Sequence, residues 1–371
     1  EMTSSLVGSE MCIRDRYNTV PLILNYTQPI RAYNALKWRK KTAPLQYENA
    51  QRAYLETMQD ITINVTNLFF TVLSAQENYR QSVADYEDRK HLFEIAKKRL
   101  DLGTTTKSEV LQMELSLLNA KMSVNSTSLT LRTQLFSLFS YLRIVDYGDI
   151  ELLPPYYMPE IEMNAEQVLD KAWTGSSHSI EQQLNLLESQ RALAEAKANR
   201  GLQVEFRGRL GLSQSANELP AAYRRLKDYE TVGLTMTIPI YDWGMGRGKV
   251  RMAKTDVEIT KTQIEQANIE FAHDVRTKVL QFNNQAEQCK TSLRAQDIAA
   301  ERYDIMKKRF ENGSVTVTEL NTAQEEFESA QHQYISQLQQ FWTDYYGIQK
   351  LTLYDFIRKE NIGVNFNDLV N

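Results

Sequence analysis

The sequence predicts a mainly α protein with a small β part, organised as two tandem repeats whose long helices form coiled-coil hairpins. Three observations predict it. The stretch KKRLDLGTTTKSEV, beginning at Lys97, is written again as KKRFENGSVTVTEL from Lys307. Only 14 glycines and 8 prolines occur in 371 residues, well below usual frequencies of roughly 7% and 5%, so the elements must be few and long. Three short segments alternate apolar and polar side chains with the period of two that marks a strand.

An internal repeat governs every later reading. Gly103 and Gly313 lie 210 positions apart, and the same shift pairs Lys97 with Lys307, Lys98 with Lys308 and Arg99 with Arg309. It also pairs Thr106 with Thr316, Glu109 with Glu319 and Ala120 with Ala330. Far upstream the register persists: NYTQPI (Asn25 to Ile30) meets TMTIPI (Thr235 to Ile240), so Pro29 falls on Pro239. Ungapped agreement at two places this far apart identifies a duplication.

Taken in order, the first sixteen residues, EMTSSLVGSEMCIRDR, have no counterpart in the second repeat and no apolar core of a secretory signal. They are expected to be a truncated or non-native start and are set aside. The first repeat then spans 17–142. Its strand, PLILNYT, places Leu22, Leu24 and Tyr26 opposite Asn25 and Thr27. From Ala32 to about Asp101 only Pro44, near the start, opposes a helix. Apolar residues at Ile61, Val65, Leu68, Val72, Ala75 and Tyr79 recur in steps of four and three, a heptad seam. About 70 helical residues at 1.5 Å rise make a rod on the order of 100 Å. Gly103 interrupts it, because glycine takes the left-handed conformation that ends helices, and the threonines after it can cap the next one. The returning helix, about Thr106 to Leu142, carries Leu111, Leu115, Leu118 and Met122 at the same spacing.

After a linker at 143–179, the second repeat (180–350) follows the same plan. Its rod runs from about Trp243 to Asn312 and turns at Gly313-Ser314. The return helix places Leu320, Phe327, Tyr334, Phe341 and Ile348 seven apart. Lys278 and Gln285 occupy seam positions of the rod and dilute it. Helices alone would fit an ordinary coiled coil. Residues 351–371 form a C-terminal segment.

The strands argue for more. QVEFRGRLGLS sets Val204, Phe206, Leu210 and Leu212 against Gln203, Glu205, Arg207 and Arg209. ETVGLTMTIPI sets Val232, Leu234, Met236 and Ile238 against Thr231, Thr235 and Thr237. Runs of about 9–11 residues with one apolar face suit a tilted transmembrane strand. A half-buried soluble sheet would show the same alternation. Three or four strands, however, are too few to build a soluble core beside such rods. Several chains would have to pool strands to close a barrel and remove the exposed edges. The polar stretch QSANELPAAYRRLKD between two of them suits an outside loop.

Other classes find little support. A net charge of −4 argues against nucleic acid as a partner, and Cys12 and Cys289 form no disulfide framework. No apolar run approaches the roughly 20 residues of a spanning helix. WGMGRGK follows a strand and opens a helix, but its G-x-G-x-G spacing matches neither nucleotide-binding pattern. No parallel strand returns soon enough for a βαβ unit. His91, His178, His273 and His332 are scattered without metal-ligand spacing. No catalytic, cofactor or metal residues are expected, and the protein is not expected to be an enzyme. A basic cluster recurs, Lys37, Arg39 and Lys41 matching Arg247, Lys249 and Arg251. It suits either inner-leaflet phosphates or a solvated rod surface.

With its two copies of strand, long helix, glycine-centred hairpin and shorter helix, the sequence resembles the TolC-like outer-membrane efflux proteins, the outer membrane factors. The likeness runs from about Pro21 to Leu353 and is most specific at IPIYDWG…GKVRMAK and RFENGSVTVTELNTAQ. It implies a homotrimer whose chains each give four strands to a transmembrane β-barrel and their helices to a periplasmic α-barrel. By that pattern one strand, the first, is missing. An equatorial region would be built from about Arg143 to Gly175 with the residues after Leu351. The resemblance also implies a periplasmic adaptor and an inner-membrane pump as partners, and outer-membrane lipid around the barrel. The hairpin tips Leu102-Gly103-Thr104 and Asn312-Gly313-Ser314 would then meet the adaptor, with Glu319 and Glu109 at the channel constriction. Three Glu319 carboxylates would form a cation-favouring ring; both glutamates equally suit first-turn acids complementing the helix dipole. Val315 stands where the best-known member of that family has a gate-latching arginine, and Thr322 replaces a second carboxylate. The alternative is a periplasmic coiled-coil adaptor or scaffold without a pore.

Overall fold

The computed structural model describes residues 17–146, 148, 150–155, 158–312, 314–315 and 317–366. In chain order its elements are β1 (Tyr17–Arg31), α1 (Ala35–Asp101), α2 (Lys107–Tyr141), α3 (Ala165–Gly175) and α4 (His178–Arg200). They continue with β2 (Gln203–Ala216), α5 (Leu219–Ala222), β3 (Lys227–Thr237), α6 (Met245–Glu311), α7 (Val317–Thr352), β4 (Tyr354–Asp355) and β5 (Glu360–Asn361). The two rods, α1 and α6, are each 67 residues long, and their return helices are 35 and 36 residues long. The duplication therefore survives in element length. The excluded N-terminal segment and Gly313 lie outside the described residues.

The chain divides into two units. The first comprises Glu1–Tyr47 and Glu181–Gln266 and holds an antiparallel sheet of order β1-β2-β3. Leu22 faces Leu212 and Leu24 faces Leu210 across the first ladder; Phe206 faces Leu234 across the second. Gly211 is needed here, since a Cβ on it would stand 2.6 Å from the Leu22 carbonyl oxygen. The loop expected between β2 and β3 contains the single turn α5, which folds back so that Thr19 Oγ1 donates to the Ala222 carbonyl at 2.5 Å.

The second unit comprises Glu48–Ile180 and Ala267–Asn371. One core cluster joins Val168, Leu169 and Ala172 of α3 to Val275, Val279 and Phe282 of α6 and to Phe341, Tyr345 and Ile348 of α7. A second joins Phe70 and Leu73 of α1 to Cys289, Ile335 and Leu338. The seam expected on α7 is buried or half-buried throughout. On α6 Gln285 keeps its seam place by donating from Nε2 to the Gln337 carbonyl at 2.9 Å. β4 and β5 pair beyond α7. Tyr345 holds that segment: its buried hydroxyl donates to Asp355 Oδ1 at 2.7 Å and accepts from the Ile357 N–H at 3.1 Å.

The first hairpin differs from expectation. On α1, Val72 and Ala75 are buried but Ile61 is exposed. On α2 every residue of the expected seam, Leu111, Leu115, Leu118 and Met122, is more than half exposed, and so are Leu129 and Phe136 on the same stripe. The residues α2 buries are Val110, Ala120, Leu138 and Phe139. Hydrophobic periodicity located the apolar stripe, but a period along one helix cannot say whether another segment of the same chain covers it.

Candidate functional site

Strand alternation gives the sheet two unlike faces. One carries Leu22, Leu24 and Tyr26 of β1, Leu210 of β2, and Val232, Leu234 and Met236 of β3, each more than half exposed. The ladder registers place these side chains in adjacent rows, so they form one contiguous patch. Tyr26 and Phe206 meet edge to face on it, with ring centroids 6.2 Å apart. The opposite face presents Asn25, Thr27, Glu205, Arg207, Arg209, Thr231 and Thr235. A contiguous apolar area beyond a few hundred Å² marks a surface that binds membrane or protein. The sheet is also open: β2 is paired on both sides, whereas β1 and β3 each keep an edge with no partner among the described residues. No described helix is long and apolar enough to cross a membrane.

Below β3 the apolar surface continues through Ile238, Ile240, Tyr241, Trp243 and Met245, all exposed. The Tyr241 and Trp243 rings meet at 4.7 Å. An aromatic pair beside an apolar band is the pattern of a membrane–water interface, and Arg247, Lys249 and Arg251 follow on the first turns of α6. Asp242 fixes this corner. Its carboxylate accepts from the Gly244 N–H at 3.0 Å and the Gly246 N–H at 2.7 Å. These two N–H groups, Gly246 foremost, hold its pKa below the usual carboxylate range. The chain reverses through Trp243 at φ 53° and Gly244 at φ 83°. Gly244 and Gly246 of WGMGRGK thus serve a strand-to-helix corner.

The two hairpin tips repeat each other at the level of single bonds. Leu102 N–H donates to the Lys98 carbonyl at 3.1 Å and Asn312 N–H to the Lys308 carbonyl at 3.3 Å. Thr104 N–H reaches the Arg99 carbonyl and Ser314 N–H the Arg309 carbonyl, both at 2.9 Å. These six-to-one bonds belong to a Schellman turn, and Gly103, at φ 71°, supplies its left-handed residue. Leu102 projects from the first tip, 77% exposed; Thr104, Asn312 and Ser314 are close to solvent as well. Gly313, the second tip glycine, lies outside the described residues.

Glu109 closes a capping box. Thr106 Oγ1 accepts from the Glu109 N–H at 3.3 Å while Glu109 Oε2 accepts from the Thr106 N–H at 2.9 Å and from the Thr105 hydroxyl. The Thr105 hydroxyl, then the Thr106 N–H, lowers the Glu109 pKa. The Thr-x-x-Glu pattern that announces such a box stands in the sequence, where the glutamate reads as a constriction residue or a first-turn acid. Glu319 is exposed in the first turn of α7. Val315 is half-buried, and Thr322 Oγ1 turns back to the Thr318 carbonyl at 3.0 Å.

Sequence reasoning also passed over a cross-link above the tips. Asp85 and Asp88 of α1 receive, respectively, Gln324 Nε2 at 2.7 Å and Lys307 Nζ at 2.8 Å. Such links need residues from different helices to meet, which no spacing along one helix reveals.

Solved structures share the fold. CmeC, an outer-membrane channel of Campylobacter jejuni, superposes with a TM-score of 0.71 at 15% identity over 93% of this chain and 72% of that one. CusC gives 0.71 at 13% identity over 94% and 80%. The MtrE outer-membrane channel of Neisseria gonorrhoeae, in its open state, gives 0.68 at 12% over 91% and 80%. No curated protein sequence matches the chain. A family profile does, over residues 4–142 and 176–352, and so covers both repeats with their strands, rods and tips. The chain therefore belongs to the outer membrane efflux protein family.

Proposed function

We infer that the protein is the outer-membrane conduit of a tripartite efflux or type I secretion assembly, through which solutes pass without energy input from this chain. The observation that carries the reading is the sheet, which is apolar and exposed on one face apart from Asp228 and Glu230 at its loop end, polar on the other and, among the described residues, unpaired at both edges. Neighbouring copies pairing at those edges would close a barrel with lipid outside and water inside, which alone removes sheet edges in a bilayer. Three copies, as in the family pattern, form the assembly. The apolar stripe on α2 gives each copy a second surface to bury against a neighbour.

The hairpin tips at Leu102, Gly103, Thr104, Asn312, Gly313 and Ser314 contact a periplasmic adaptor, which links the conduit to an inner-membrane pump. Opening is a population shift towards splayed tips, driven by adaptor contacts that favour them. Glu319, one from each copy, lines the constriction and favours cations. Glu109 contributes to the closed arrangement only by exchanging its capping-box partners for a neighbour's. A scaffold without a pore has no use for an exposed apolar sheet face. Detergent extraction followed by planar-bilayer recording tests the reading. A trimer in detergent with stepwise conductance supports it; a soluble species without conductance overturns it.

A further inference from the structure

The polar face of the sheet carries an uneven charge. Register puts Asn25, Arg209 and Thr231 in one row, Thr27, Arg207 and Gly233 in the next, and Pro29, Glu205 and Thr235 in the third. Arg207 NH2 donates to Glu205 Oε2 at 3.0 Å, so those two charges offset each other. Arg209 is exposed, and its row neighbours are neutral. Among the described residues its guanidinium has no hydrogen-bond or ion-pair partner. β1 adds no ionisable side chain to these rows, and the next row beyond Arg209 is Ile23, Gly211 and Tyr229. Lys227 lies on the same face at the loop end of β3, and Arg209 is the unpaired positive charge in the middle of the face turned away from the apolar band.

We propose that Arg209 is an anion-attracting station inside the barrel, and that small solutes bearing carboxylate, phosphate or sulfonate groups are the species it favours. The inference rests on the conduit reading, which turns the polar face to the lumen and brings one Arg209 from each copy around it. A guanidinium suits this role. It stays charged at any working pH and offers paired N–H donors matched to a carboxylate's two oxygens. Unlike Arg207 it is not already engaged in its own strand. The lumen is wet, so the field acts within a screening length of about 10 Å at 0.1 M salt and about 30 Å at 0.01 M. The station sets the sign of selectivity in the membrane segment at low ionic strength, and Glu319 sets the opposite sign at the tips.

The test is the reversal potential of the purified full-length protein in planar bilayers across a KCl gradient, with benzenehexacarboxylate added as a blocking probe. Arg209→Gln should lower the chloride-to-potassium permeability ratio by about threefold near 0.01 M salt and leave it unchanged near 1 M, where the screening length is about 3 Å. It should also weaken polycarboxylate block, whereas Arg209→Lys should retain both. Thr231→Arg, which adds a charge to the same row, should raise the ratio, and it serves if Arg209→Gln fails to insert. Wild-type conductance with an unaltered ratio in the inserted variants overturns the station but not the conduit. Absence of wild-type conductance overturns the conduit first and the station with it.

Discussion

Asp88 on α1 accepts two hydrogen bonds from Lys307 on α6, at 2.9 and 2.8 Å, and so fastens the outgoing helix of one repeat to that of the other. The Tyr303 hydroxyl adds a third at 3.3 Å. Lys97, the equivalent of Lys307 after the duplication, turns to its own helix. It pairs with Glu94 at 3.0 Å and lies 4.1 Å from the Phe93 ring centroid. Two copies of one motif thus hold different tasks, because divergence changed what stands opposite them.

Both members of the Asp88–Lys307 pair are partly exposed, so the bond is worth no more than about 1 kcal/mol. Asp88→Asn should lower the thermal midpoint slightly and Lys97→Met not at all. A double-mutant cycle over Asp88 and Lys307 should return a coupling of about 0.2–1 kcal/mol. A coupling of zero would show that the contact is incidental.

The capping box makes the first tip acid-sensitive. The Glu109 pKa is depressed in the folded chain, so its contribution is complete above the ordinary carboxylate range and is lost as pH falls through the folded value. Amide exchange at Thr106 and Glu109 should therefore accelerate on acidification. Thr106→Ala should speed it at neutral pH too, by a local loss of about 1 kcal/mol. Exchange that ignores both changes would deny the box any role at the tip.

Two glycines should respond oppositely to alanine. A Cβ on Gly175 would lie 2.0 Å from the Thr352 carbonyl oxygen. Gly175→Ala must therefore separate the ends of α3 and α7, at a loss of about 1–3 kcal/mol. Gly248, in the first turn of α6, has open space around its Cβ position. Gly248→Ala should gain up to about 1 kcal/mol from helix propensity. Thermal denaturation of the two variants side by side checks the contrast.

Charging the α2 stripe should separate assembly from folding. Leu118→Glu with Met122→Glu places carboxylates on a surface already exposed in one chain, so helix content by circular dichroism should hold. The trimer association constant in detergent should fall at least tenfold, the equivalent of about 1.4 kcal/mol. An undiminished trimer would mean that copies meet elsewhere.

The sequence alone settled the duplication, the lengths of both rods and the position of each turn. These rest on local chemistry: glycine at a left-handed position, threonine at a cap, apolar residues at helical or strand period. The two faces of the sheet were legible for the same reason, as alternation along one strand fixes which side chains share a side. The tertiary structure decided what each face meets. Leu111, Leu115, Leu118 and Met122 read as a seam but stand in the open, since period groups apolar residues on one face and does not say what covers it. Asp88 and Lys307 come from sites 219 positions apart. Their meeting depends on how the two hairpins pack, which is a property of the folded chain and not of either helix.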